Sequence, residues 1–177
     1  MRRAAALSIV FATGLAAVGL AVAGLNGNWS THLSARAQVE VNDSRGQGQA
    51  IFHLSHDGAA IDYKLIASNV ENVFMAHIHR GAPGANGPIV VWLHPSTTPV
   101  PPATLPKGTG RTDGVLAEGT FTAADLVGPL AGHPLSELVA LMNEGGVYVN
   151  VHTDDGVAPA GTGPGDLPAG EIRGDLP

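Results

Sequence analysis

The chain has 177 residues, no cysteine, 24 glycines and 13 prolines, with 44% hydrophobic and only 14% charged residues. That length suits one domain. The lack of cysteine excludes disulfide scaffolds, thiolate metal sites and cysteine nucleophiles, so any chemistry falls to histidine, carboxylates, hydroxyls or backbone. The formal charge is −6, and setting Arg2 and Arg3 aside leaves 7 basic against 15 acidic residues, or −8, which argues against a nucleic-acid surface.

At the N-terminus, Arg2 and Arg3 precede an apolar run from Ala4 that ends at Ala21-Val22-Ala23, the grammar of a signal peptide. Residues 1–23 are therefore expected to direct export. The run is long enough that an uncleaved N-terminal anchor is the alternative. The mature domain is then 24–177, secreted or extracytoplasmic in the cell envelope, and it meets a membrane only through the N-terminal segment if that is uncleaved.

Beyond Trp29 the apolar residues fall in short alternating runs separated by turn residues, the period-2 pattern of half-buried strands. A weak strand is predicted at His32–Val41. Gln49–Ser55 places Ala50, Phe52 and Leu54 on one face, and His56-Asp57-Gly58 turns the chain into a second strand at Ala60–Ala67. Further strands are predicted at Phe74–His79, Pro88–His94, Val115–Thr122, Val147–Thr153 and Gly170–Leu176. Thr122 with Asp125 predicts one capped helical turn. Leu135, Leu138, Val139 and Met142, at helical spacing after Pro134 and before Gly145-Gly146, predict one short amphipathic helix. The expected fold is an all-β antiparallel β-sandwich, Greek-key-like in its connections, with one short helix.

Met75-Ala76-His77-Ile78-His79-Arg80-Gly81, Tyr148-Val149-Asn150-Val151-His152-Thr153 and Pro168-Ala169-Gly170-Glu171-Ile172-Arg173-Gly174, in that order, resemble the chordin-type (CHRD) domain. The resemblance runs from about His32 to Leu176. It implies a secreted or envelope β-sandwich serving as a binding or structural module, with an unidentified extracellular or envelope ligand and no established catalytic activity. The proline-rich stretch Pro99–Pro106 and the long segment Asp154–Ala169 depart from the family pattern.

Read as chemistry, the same motifs place His77 and His79 on one face of a strand, and Tyr148, Asn150 and His152 on one face of another. Were those strands neighbours, His77, His79 and His152 would form a three-imidazole cluster with Asn150, Glu171 and Arg173 in support. Imidazole suits copper and zinc, and three histidines with an open fourth position make a catalytic or redox centre. The His-x-His strand, the later Val-His and the late Arg are similar to the copper site of copper-zinc superoxide dismutase. A mononuclear copper-type protein is accordingly the alternative function, with Arg173 drawing an anion to the open position. The competing reading makes the histidines hydrogen-bonding residues of the sheet and pairs Glu171 with Arg173 as a structural ion pair.

Other constellations fail. The sequence has no Gly-x-Ser-x-Gly elbow, no His-Glu-x-x-His helix and no phosphate-binding glycine loop, so no catalytic residues are assigned. Asp154-Asp155 with Asp166 could hold calcium but lack the spacing of an EF-hand, and a solvated acidic loop is the expectation.

Overall fold

Strands form along most of the alternating runs in the computed structural model, which describes residues 27–177. The expected signal segment, 1–23, lies outside the described residues. The strands are β1 (Asn28–Ser34), β2 (Gln47–Leu54), β3 (Ala60–Glu71), β4 (Val73–Arg80), β5 (Ile89–His94), β6 (Arg111–Thr122), β7 (Val147–Thr153) and β8 (Ile172–Asp175), with one α-helix, α1 (Leu135–Asn143). All pairings are antiparallel, and the eight strands follow the order β5-β4-β7-β8-β1-β2-β3-β6. The fold is thus all-β and antiparallel with a single helix among the described residues.

The sheet narrows at its middle. β1 and β8 share one register pair, Ser34 with Arg173, whereas β1 matches β2 at every position from Asn28/His53 to Ser34/Gln47. At the other turning point only Asn72 separates β3 from β4, although these strands lie far apart in the strand order. Asn72 takes a positive φ of 56° there. Its amide group donates to the Gly165 carbonyl and accepts from the Gly110 N–H, and its backbone bonds Gly110 and Asp154. A short polar side chain that tolerates the left-handed region and satisfies its own corner suits that position.

Inward-facing Leu33, Phe52, Ile61, Leu65, Ile78 and Val149 share one core, all at 0% exposure. Leu135, Leu138, Val139 and Met142 of α1 are buried in it, as the helical spacing predicts. Trp29 Nε1 donates to Asn143 Oδ1 at 3.0 Å, tying the helix C-terminus to β1. Tyr63 Oη donates to the Leu93 carbonyl at 2.7 Å, linking β3 to β5. The Thr122–Asp125 capping box is present over a 3-10 turn at Ala123–Asp125.

Only Val147–Thr153 keeps its expected bounds. β3 runs on to Glu71 rather than ending at Ala67, and β6 begins at Arg111 rather than Val115. β2, β4 and β5 shift by one or two residues, and the first and last strands are displaced. The first strand lies at Asn28–Ser34 rather than His32–Val41, and a 3-10 turn occupies Ala35–Ala37. Val39 and Val41 alternate as a strand would, but they are exposed at 42% and 68%, because neither β2 nor β8 pairs with the chain beyond Ser34. The last strand begins at Ile172 rather than Gly170, whose φ of +133° is incompatible with a continuing L-residue strand.

Candidate functional site

β7 lies between β4 and β8, and all seven of its residues are buried. Its valines enter the core. Its polar face, which alternation alone would leave in water, is covered by the chain around Gly81–Pro88 and by the segment before β8. Register sets His79 opposite Tyr148, His77 opposite Asn150 and Met75 opposite His152, with Arg173 opposite Asn150 on the far side. Side chains on one face of neighbouring strands meet directly or diagonally.

The three histidines converge. One ring nitrogen from each of His77, His79 and His152 lies within 4.8 Å of the others, and the residues are 0%, 7% and 5% exposed. His152 Nδ1 bonds the Pro168 carbonyl at 3.0 Å, and His79 Nδ1 bonds the Gly87 carbonyl at 2.9 Å. Each of those bonds requires the ring to donate from Nδ1, which leaves Nε2 as a lone pair. Both Nε2 atoms, and both ring nitrogens of His77, are buried without a hydrogen-bond partner. Such orphaned nitrogens are rare in native interiors, where buried polar atoms are normally satisfied.

Aromatic rings close the site. Trp92 meets His77 edge-on at 4.3 Å between centroids, and Trp92 itself packs with Phe74 and Leu105 in a small apolar cluster. Tyr148 stacks on His79 at 4.9 Å and 8°. Burial, reinforced by the positive charge its histidine neighbours would carry, pushes the His77 pKa down to about 2. Burial likewise lowers His152 to about 3 and lowers His79, for which nearby Arg173 acts in the same direction. The rings are therefore neutral at pH 7, the state a metal needs.

The supporting residues sit differently from expectation. Arg173 does not pair with Glu171 and does not face an open position. Its guanidinium bonds Asp175 Oδ1 at 2.6 and 2.9 Å, the carbonyls of Ala82 and Ala85, and Asn86 Oδ1. It also lies 3.5 Å over the Tyr148 ring, which stacks on His79. Glu171 accepts instead from Ser44 Oγ, Thr153 Oγ1 and the Gly165 N–H. The alternation that would align the two residues does not reach Glu171, because β8 starts one residue later. Asn150 Oδ1 accepts from Gln38 Nε2 at 2.7 Å, anchoring the chain after β1.

The CHRD domain family matches residues 29–162. The chain belongs to that family. No curated protein and no solved structure matches it. The match takes in the histidine motifs of β4 and β7 and stops before the Pro168–Gly174 motif, although Pro168 contributes a carbonyl to this CHRD domain's histidine cluster.

Sequence reasoning misses the carbonyls of Gly87 and Pro168, which hold two of the three rings. A signal for the first was present in the glycine itself. A Cβ at Gly87 would lie 1.8 Å from the Arg80 carbonyl oxygen, so only glycine lets the returning chain reach β4. The remaining histidines lie outside the cluster. His32, His53 and His133 bond Gln47, Asn28 and Glu137 respectively, and His56 sits exposed in the β2–β3 turn. Among the described residues no helix is long and apolar enough to cross a membrane.

Proposed function

We propose that this CHRD-domain protein is an exported, extracytoplasmic binding module whose ligand is one transition-metal ion, copper or zinc, held by His77, His79 and His152. The observation that carries the reading is the set of buried ring nitrogens without partners, on rings whose other contacts leave Nε2 of His79 and His152 free. A purely architectural cluster would spend those nitrogens on cross-strand hydrogen bonds. An imidazole that donates Nδ1–H to a carbonyl while Nε2 faces a shared point has the second-shell support usual for a metal ligand. Ligand nitrogens about 2.0–2.1 Å from one ion lie within about 4.2 Å of one another, so small rotations of the rings suffice.

The engagement of Arg173 with Asp175 and three loop groups favours binding or storage of the metal over superoxide chemistry, since its guanidinium is already committed and is not left to draw an anion. Export rests on the Arg2-Arg3 and Ala21-Val22-Ala23 pattern. For the architecture, we read the two halves of the sheet, joined by the single Ser34–Arg173 pair and the Asn72 corner, as the two layers of a sandwich.

The test is metal analysis of the purified protein, followed by Cu(II) and Zn(II) titration of the wild type, His77→Ala and His152→Ala with stability measured alongside. One ion per chain, lost in both variants while the fold persists, is the expected result. Wild-type protein that neither carries nor saturably binds either metal would overturn the proposal.

A further inference from the structure

Asp154 and Asp166 are buried at 6% and 3% exposure, contrary to the expectation of a solvated acidic loop, and with half-buried Asp155 they each offer a carboxylate oxygen within 4.8 Å of the others. Three like charges gathered out of water require counter-charge. Lys107 Nζ supplies one positive charge, 2.6 Å from Asp154 Oδ2, which leaves the group at −2. Backbone amides fix the carboxylates in place. Asp154 Oδ1 accepts from the Gly156 N–H at 2.8 Å, and Asp155 Oδ1 from the Val157 N–H at 2.7 Å. Asp166 Oδ2 accepts from both the N–H and the hydroxyl of Thr162, at 2.9 and 2.8 Å, and these bonds lower its pKa and keep it charged. Its Oδ1 is buried with no partner at all.

We propose that Asp154, Asp155 and Asp166 form a second site, for a hard divalent cation of the calcium class. Two oxygens that each lie about 2.4 Å from one calcium ion stand no more than about 4.8 Å apart, and the three carboxylate oxygens lie within that limit of one another. All the side-chain donors are oxygens, which suit calcium, whereas imidazole suits copper and zinc. The carboxylates come from an irregular segment, with no rigid octahedron that magnesium would demand. The unpartnered Asp166 oxygen and the residual charge of −2 are both answered by one divalent ion. This site is independent of the histidine cluster in its residues and in its chemistry.

The experiment is calorimetric titration of the chelator-treated full chain with calcium chloride near neutral pH, with thermal melts in parallel. The expected result is saturation at one ion per chain, a melting temperature that rises with calcium more than with equal magnesium, and affinity weakened by about tenfold or more in Asp166→Asn and Asp155→Asn. His77→Leu should bind calcium as the wild type does. Should Asp166→Asn fail to fold, Asp155→Asn decides the matter, because that residue is half-buried and the amide oxygen can still accept from Val157. No saturable binding by wild type up to about 10 mM calcium, or unchanged affinity in the folded Asp→Asn variants, would overturn the assignment.

Discussion

Replacing His77 by leucine separates a ligand from a structural residue. The ring is 0% exposed and neither of its nitrogens has a hydrogen-bond partner. Leaving a buried polar group unsatisfied costs about 1–3 kcal/mol, which leucine would relieve, while loss of the edge contact with Trp92 returns about 0.5–1.5 kcal/mol. At pH 7 the variant should therefore match the wild type to within about 1–2 kcal/mol, or exceed it. Acid adds a second signature. The folded-state pKa of His77 is about 2, well below the ordinary 6.5, so the unfolded chain takes up a proton that the folded one refuses. The stability that the neutral ring permits is present above about pH 6.5 and is lost as pH falls toward the folded value. Between pH 7 and pH 5 that loss is about 2 kcal/mol for one ring. His77→Leu should escape it. Urea denaturation of both proteins at pH 7 and pH 5 in chelator reads both effects, and copper and zinc titration reads the loss of binding. A loss above about 3 kcal/mol at pH 7, or identical pH dependence in the two proteins, would refute the reasoning, since either result means the ring has folded-state partners.

Arg173→Lys should destabilise the protein by about 3 kcal/mol, because a single ammonium cannot replace the bonds to Asp175, Ala82, Ala85 and Asn86, and metal affinity should fall about tenfold as the Gly87 carbonyl loses its position on His79; denaturation and metal titration check the two parts. Leu138→Ala should cost about 2–5 kcal/mol by opening a cavity under α1, measured by urea denaturation. N-terminal sequencing of secreted material should begin close to Gly24, and membrane-bound protein that retains residues 1–23 would favour the anchor instead.

The all-β antiparallel character, the helix and most strand positions were legible in the sequence because local periodicity reports which side of a backbone is buried. The run Val147–Thr153 alternates valine with polar residues and forms β7 with those bounds, and Leu135 to Met142 forms α1 on its apolar stripe. His77 and His79 share a face for the same reason, as do Asn150 and His152. What alternation does not encode is which strand lies beside which. Tertiary structure alone set β4 against β7 and so brought three imidazoles to one point. It also covered the polar face of β7 with irregular chain, making a hydrated-looking face into a dry one and depressing the pKa values there. The partner of Arg173 was decided in the same way. Spacing pointed to Glu171, but the turn at Gly170 delays the start of β8 to Ile172, and the Glu171 carboxylate goes to Ser44 and Thr153. A backbone carbonyl belongs to every residue type alike, so apart from the glycine at position 87 nothing in the sequence marks these two, and only the return of two loops over β4 and β7 places them on His79 and His152.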